Sequence, residues 1–163
     1  MIIAPDGTNT GCGSHQPALR ALARFTKVYS AIEFGAGVYS SHLFLDKEAF
    51  PDLTSLVTFE HKKQWADSVA NDDRRHTVVI TNYRNFKGIS AGMRSDFVFV
   101  DSAPHDKRLE LLDHALQLAP IVGIHDCKAS GIGSFDCKYI KAFNSKIQTL
   151  FASNIVDLSG LEL

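Results

Sequence analysis

The sequence predicts an α/β fold, a single doubly wound, mostly parallel sheet with helices on both faces and a short carboxyl-terminal strand or hairpin. Two observations carry this expectation. Short apolar runs at residues 29–34, 55–59, 77–81, 97–100 and 121–124 lack strict polar alternation, as strands covered on both faces do. Helical patterns separate these runs, and strand, helix, strand in repetition builds a parallel sheet through right-handed crossovers. There is no repeat, low-complexity tract or long linker, so residues 1–163 read as one domain, with 1–27 forming an amino-terminal arm and helix.

Each element has its own signal. The first dozen residues carry Pro, Gly, Thr and Asn and read as irregular. Ser14 is placed to cap a helix that tolerates Pro17 in its first turn and runs to Phe25, burying Leu19, Leu22 and Ala23. Further helices are expected at 39–47, 62–70 and 103–119. In the last of these Ser102 is the expected cap, Asp106 sits in the first turn, and Leu109, Leu112, Leu116 and Ala119 recur at spacings of three and four. Segments 81–95 and 127–134 read as loops, followed by a final helix at 136–143 and one or two short strands within 148–157.

Composition narrows the class. A chain of 163 residues with 45% hydrophobic and 21% charged side chains can bury a sizeable core. Seventeen basic against eighteen acidic residues give a net charge of −1, which argues against nucleic acid or an anionic membrane as the partner. The amino terminus lacks the basic and apolar regions of a secretory signal, and no apolar run approaches the roughly 20 residues of a membrane span. The three cysteines, Cys12, Cys127 and Cys137, match no zinc or redox spacing and read as reduced thiols of a cytoplasmic protein.

In a sheet of this kind ligands bind beyond the carboxyl ends of the strands. The first strand leads into Glu33-Phe34-Gly35-Ala36-Gly37-Val38-Tyr39-Ser40-Ser41. Gly35 and Gly37 allow a sharp turn with room for a ligand, but a dinucleotide fingerprint would need glycine at position 40, where Ser40 stands. An acid before the first glycine suits a cationic group such as an ammonium better than a pyrophosphate. Glu60 ends the second strand, where an acid can accept both hydroxyls of a ribose. Asn82 and Tyr83 follow the third strand, where an adenine could lie. The fourth and fifth strands end in Asp101 and in His125-Asp126, groups that neighbouring strands bring within about 5–10 Å of each other.

Taken in order, AIEFGAGVYSS, LVTFE, SDFVFVDSAPHDKRLELLDHAL and IVGIHDC resemble the class I S-adenosylmethionine-dependent methyltransferases. The leading TGCGSHQPALRAL is similar to the opening of a group of small methyltransferase-like proteins. The resemblance implies a Rossmann-like sheet in which Glu33, Gly35, Gly37 and Ser40 line the methionine part of the cofactor. It implies that Glu60 binds the ribose, that Asn82 or Tyr83 lies near the adenine, and that Ser14 and His15 approach the cofactor carboxylate or the substrate. It places Asp101 between cofactor and substrate. FVFVDSAPHDKR is also similar to the fourth strand end of catechol-type O-methyltransferases, where acids after the fourth and fifth strands hold magnesium. Here His125 and Asp126 stand where that family has an Asp-Asn pair, so the expectation is a site without a metal.

The implied activity is methyl transfer from S-adenosylmethionine to a small-molecule acceptor, with S-adenosylhomocysteine as product. Asp101, His125 or His105 is the candidate base, with His125 and Asp101 favoured because strand ends are rigid supports whereas His105 starts a helix; Asp126 joins His125 and Asp101 among the catalytic candidates. With 37 residues after Asp126 and no insertion long enough for a lid, either the acceptor is small, or a partner chain such as a second copy completes the site, or the protein binds cofactor without turnover. A nicotinamide-dependent oxidoreductase is the third reading, opposed by Glu33 and Ser40.

Overall fold

The computed structural model describes residues 13–126, 137–143 and 147–163. Cys12, Cys127 and the expected loop 127–134 lie outside the described residues. Helix α1 (Gln16–Phe25) leads into β1 (Ser30–Phe34), α2 (Ser41–Leu45), β2 (Ser55–Glu60), α3 (Lys63–Val69) and β3 (His76–Ile80). A short helix α4 (Phe86–Ile89), β4 (Phe97–Val100), α5 (Leu112–Leu118), β5 (Ile121–His125), β6 (Tyr139–Phe143) and β7 (Thr149–Ser153) follow.

The seven strands form one sheet in the order β3-β2-β1-β4-β5-β7-β6. Strands β1 to β5 pair in parallel, and β7 runs antiparallel to both neighbours. Strand order reverses between β1 and β4. The register sets Phe34 beside both Phe59 and Val100, and Val100 beside Ile124, so four strands end level with one another. Glu60, Asp101 and His125 therefore arrive along one rim.

Alternation within the strands fills a core on each face. Phe97, Phe99 and Phe151 point to the side covered by α1 and α2, where Leu19, Leu22 and Phe44 are buried. Ile32, Phe34, Val98, Val100, Val122 and Ile124 point to the side covered by α5, against Leu112, Ala115 and Leu118. Gly123 leaves room for this packing, since a Cβ there would stand 2.8 Å from the Phe97 ring and 3.1 Å from the Phe99 and Phe151 rings.

Five local expectations are corrected. Ser14 does not cap α1; His15 holds that position without a side-chain bond, and the Ser14 hydroxyl stands 3.3 Å from His125 Nε2 instead. The expected helix 103–119 is a 3₁₀ stretch, His105–Leu111, followed by α5. Ser102 does not cap it either: the ring of Pro104, in extended conformation at its N-cap, delays helix entry. Segment 81–95, expected as a loop, holds a 3₁₀ turn (Tyr83–Asn85) and α4. The expected final helix is strand β6, whose exposure alternates from Tyr139 to Phe143 because it pairs with β7. Burial there follows a period of two, with Tyr139 and Phe143 turned inward and Ile140 outward, although the apolar residues themselves do not alternate.

Candidate functional site

The turn after β1 is built on two buried carboxylates. Glu33 is fully enclosed, and three hydroxyls donate to it: Ser40 at 2.5 Å, Ser41 at 2.6 Å and Thr58 at 2.8 Å. Burial pushes its pKa up to about 7 against the opposing effect of those hydroxyls. Glu60, 4% exposed, accepts the Ala36 N–H at 2.8 Å through one oxygen. Its other oxygen accepts the N–H groups of His61 at 2.6 Å and Lys62 at 2.7 Å. Glu60 thus fixes the turn directly at Ala36, while Glu33 holds the Ser41 hydroxyl that accepts the Gly37 N–H at 3.3 Å.

Gly35 must be glycine for two separate reasons. Its φ is +98°, and a Cβ would stand 2.5 Å from the Ser102 backbone. The first turn therefore packs directly on the end of β4, at the point where strand order reverses. The Ser102 hydroxyl is buried there without a hydrogen-bond partner among the described residues.

The other half of the rim is a cluster around Asp101. Arg108, only 3% exposed, pairs with Asp101 Oδ1 at 2.9 Å. The same guanidinium donates to the carbonyls of Ser102 and His125, each at 2.6 Å, and of Asp101 at 3.1 Å, tying the ends of β4 and β5 together. His125 is buried, with Nδ1 3.0 Å from Thr149 Oγ1 on β7. His15, also buried, packs against it with ring centroids 4.6 Å apart and lies 5.3 Å from the Phe99 ring. Burial lowers the pKa of both histidines, that of His15 to about 4, so both are neutral near pH 7. Asp126, with φ at +52°, turns outward to His105 Nδ1 at 2.8 Å.

No family model and no curated protein matches this chain. Solved structures do. Cofactor-bound Rv0187 from MTB superposes with a TM-score of 0.71 at 17% identity, covering 90% of this chain and 83% of that one. The O-methyltransferase TomG from Streptomyces achromogenes, in complex with SAM, gives 0.62 at 19% identity over 87% of this chain and 86% of that one. An O-methyltransferase from Bacillus cereus, in complex with SAH, gives 0.63 at 16% identity over 90% and 81%. The chain has a class I methyltransferase fold.

Within the class I methyltransferase fold the expected residues fall into two groups. Glu33, Gly35, Gly37 and Ser40 lie in the turn after β1, which Glu60 braces from the end of β2, while Asp101, His125, His15 and Ser14 meet at the ends of β4 and β5. Asn82 stands apart, exposed, with its side-chain oxygen accepting the Arg84 N–H at 3.0 Å. Tyr83 is half-buried and donates its hydroxyl to the Lys107 carbonyl at 2.8 Å, bridging the segments after β3 and β4. Four contributors went unnoticed in the sequence: Arg108, Thr149, Ser41 and Thr58. Arg108 carried a usable signal, since a spacing of three puts it on the same face as buried Leu111 in any helical reading of this segment. Thr149 carried none, because its importance comes only from the pairing of β7 with His125.

Proposed function

We propose that this protein binds S-adenosylmethionine along the ends of β1 and β2 and transfers its methyl group to a small acceptor carrying a hydroxyl or amine. The observation that supports this reading most is the joining of the two groups at the strand reversal. The Gly35 turn rests on the backbone of Ser102, the residue after Asp101, so a ligand on that turn ends beside the Asp101 cluster. The residues present fit the cofactor. Two of the roughly four acceptor positions of a carboxylate are used on one Glu60 oxygen and one on the other, which leaves capacity for a ribose hydroxyl. The orphaned Ser102 hydroxyl lacks a partner at the same crevice.

The sulfonium supplies the electrophile when bound, and the protein has to position the acceptor, exclude water and take a proton. Among the candidate bases the geometry favours His105. His125 is only 4% exposed and Asp101 is committed to Arg108, whereas the His105 side chain is 66% exposed at the open rim. Asp126 holds His105 Nδ1 at 2.8 Å, which orients Nε2 outward to receive a proton.

Calorimetric titration with S-adenosylmethionine, S-adenosylhomocysteine and NAD tests the cofactor, with Glu60→Gln as the variant. Binding of the sulfonium pair, no response to NAD and a marked loss in Glu60→Gln are the expected results. Silence from all ligands in a folded sample refutes the reading, and NAD binding replaces it with an oxidoreductase. Binding with no S-adenosylhomocysteine formed across a panel of small hydroxyl and amine acceptors identifies a cofactor-binding protein without turnover.

A further inference from the structure

We propose that His15, Asp101 and His125 form a binding site for a divalent transition ion of borderline softness, with Zn²⁺ as its representative. One ligand atom from each of the three side chains lies within 4.8 Å of the others. A tetrahedral ion with bonds of about 2.1 Å holds its donors about 3.4 Å apart, so modest side-chain rotation closes the set.

The surroundings of each donor point the same way. His125 has its Nδ1 engaged by Thr149 at 3.0 Å, so Nε2, which the Ser14 hydroxyl approaches at 3.3 Å, is the atom offered to an ion that would displace that contact. Asp101 has Oδ1 engaged by Arg108 at 2.9 Å, while Oδ2 stands 4.0 Å from His15 Nδ1. Outer partners of this kind orient metal ligands and fix the tautomer of a ligating imidazole. His15 is the decisive residue. It is 3% exposed, and neither ring nitrogen has a hydrogen-bond partner among the described residues. A buried imidazole with both nitrogens unsatisfied is costly unless something else uses them. An ion between His15, Asp101 and His125 uses one.

This set differs from the all-oxygen magnesium site of the catechol-type enzymes and from the metal-free expectation of the sequence. Two of its three donors are imidazoles, and one comes from the start of α1, while Asp126 pairs with His105 rather than joining the cluster. Nitrogen donors suit zinc, iron, cobalt and nickel; magnesium prefers oxygen. Three protein ligands also leave a coordination position open to water or to an oxygen of an incoming molecule.

The inference does not depend on the methyl donor and is tested without it. The full chain, stripped with a chelator, is titrated calorimetrically with ZnCl₂ and with MgCl₂, and its Co²⁺ adduct is recorded by visible absorption. One Zn²⁺ per chain, no matching affinity for Mg²⁺ and a ligand-field band for Co²⁺ are expected. His15→Ala should weaken Zn²⁺ at least about 100-fold, and Thr149→Ala about 10- to 100-fold through loss of orientation. His42→Gln, a histidine outside the cluster, should bind as the parent does. Absence of Zn²⁺ binding by the folded parent overturns the proposal, as does unchanged binding by His15→Ala. Should His15→Ala fail to fold, His15→Gln serves, and the Co²⁺ band of the parent decides independently. S-adenosylmethionine binding measured on the same samples separates failure of this site from failure of the methyl-transfer reading.

Discussion

Replacing Glu33 by Gln should change the way stability depends on pH. Glu33 is fully buried, and burial raises its pKa from 4.5 to about 7. At about 1.4 kcal/mol per pH unit, that rise corresponds to roughly 3 kcal/mol. The group binds its proton more tightly when folded. Its contribution is therefore full below pH 4.5, declines as pH rises, and is gone above about 7. Asp101, which repels its charge, and the titratable His76, which shares the Thr58 hydroxyl, remain in the variant. His15 acts in the opposite sense: its pKa falls from 6.5 to about 4, so its contribution is present above 6.5 and lost as pH falls. The two largely offset each other in the parent. Urea unfolding of metal-free parent and Glu33→Gln between pH 4.5 and 8 isolates the glutamate. The variant should gain roughly 3 kcal/mol on the parent across that interval. Parallel curves for the two proteins would refute the assignment of a buried, proton-binding Glu33.

Other perturbations follow from the same geometry. Gly35→Ala combines a positive φ with a backbone overlap at 2.5 Å and should cost about 3 kcal/mol or more in urea unfolding, with cofactor binding lost in calorimetry. Arg108→Met leaves Asp101 without its ion pair and three strand-end carbonyls without their donor. It should destabilise by roughly 3 kcal/mol in the same assay, less at high salt because Asp101 is partly exposed. His105→Gln should lower turnover on a true acceptor by about 10²- to 10⁴-fold while leaving the affinity for S-adenosylhomocysteine intact.

The sheet was legible because burial on both faces leaves unbroken apolar runs, and β4, Phe97–Val100, stands where its run does. Glu60 and Asp101 were legible because a strand end is a position one can count to. Errors arose where local pattern competed with tertiary pairing. The segment expected as the final helix scans as helical until β7 is known to lie beside Tyr139–Phe143. Ser14 has the composition of a cap, but its hydroxyl faces a histidine 111 positions away. The Asp101 cluster was half-legible: two of its members end strands, while His15 joins only because α1 packs across Phe99 and its neighbours.

The brace formed by Thr149 on His125 has a consequence for how the site comes into being. Its groups reach from Ser14, at the start of α1, to Thr149, in the strand of the returning hairpin. No contiguous fragment of the chain holds them all, so an ion or acceptor captured there clasps the two ends of the domain around the centre of its sheet. Occupancy should then slow opening of the whole domain rather than of one loop. The number of sites filled per chain then counts the molecules that have finished folding.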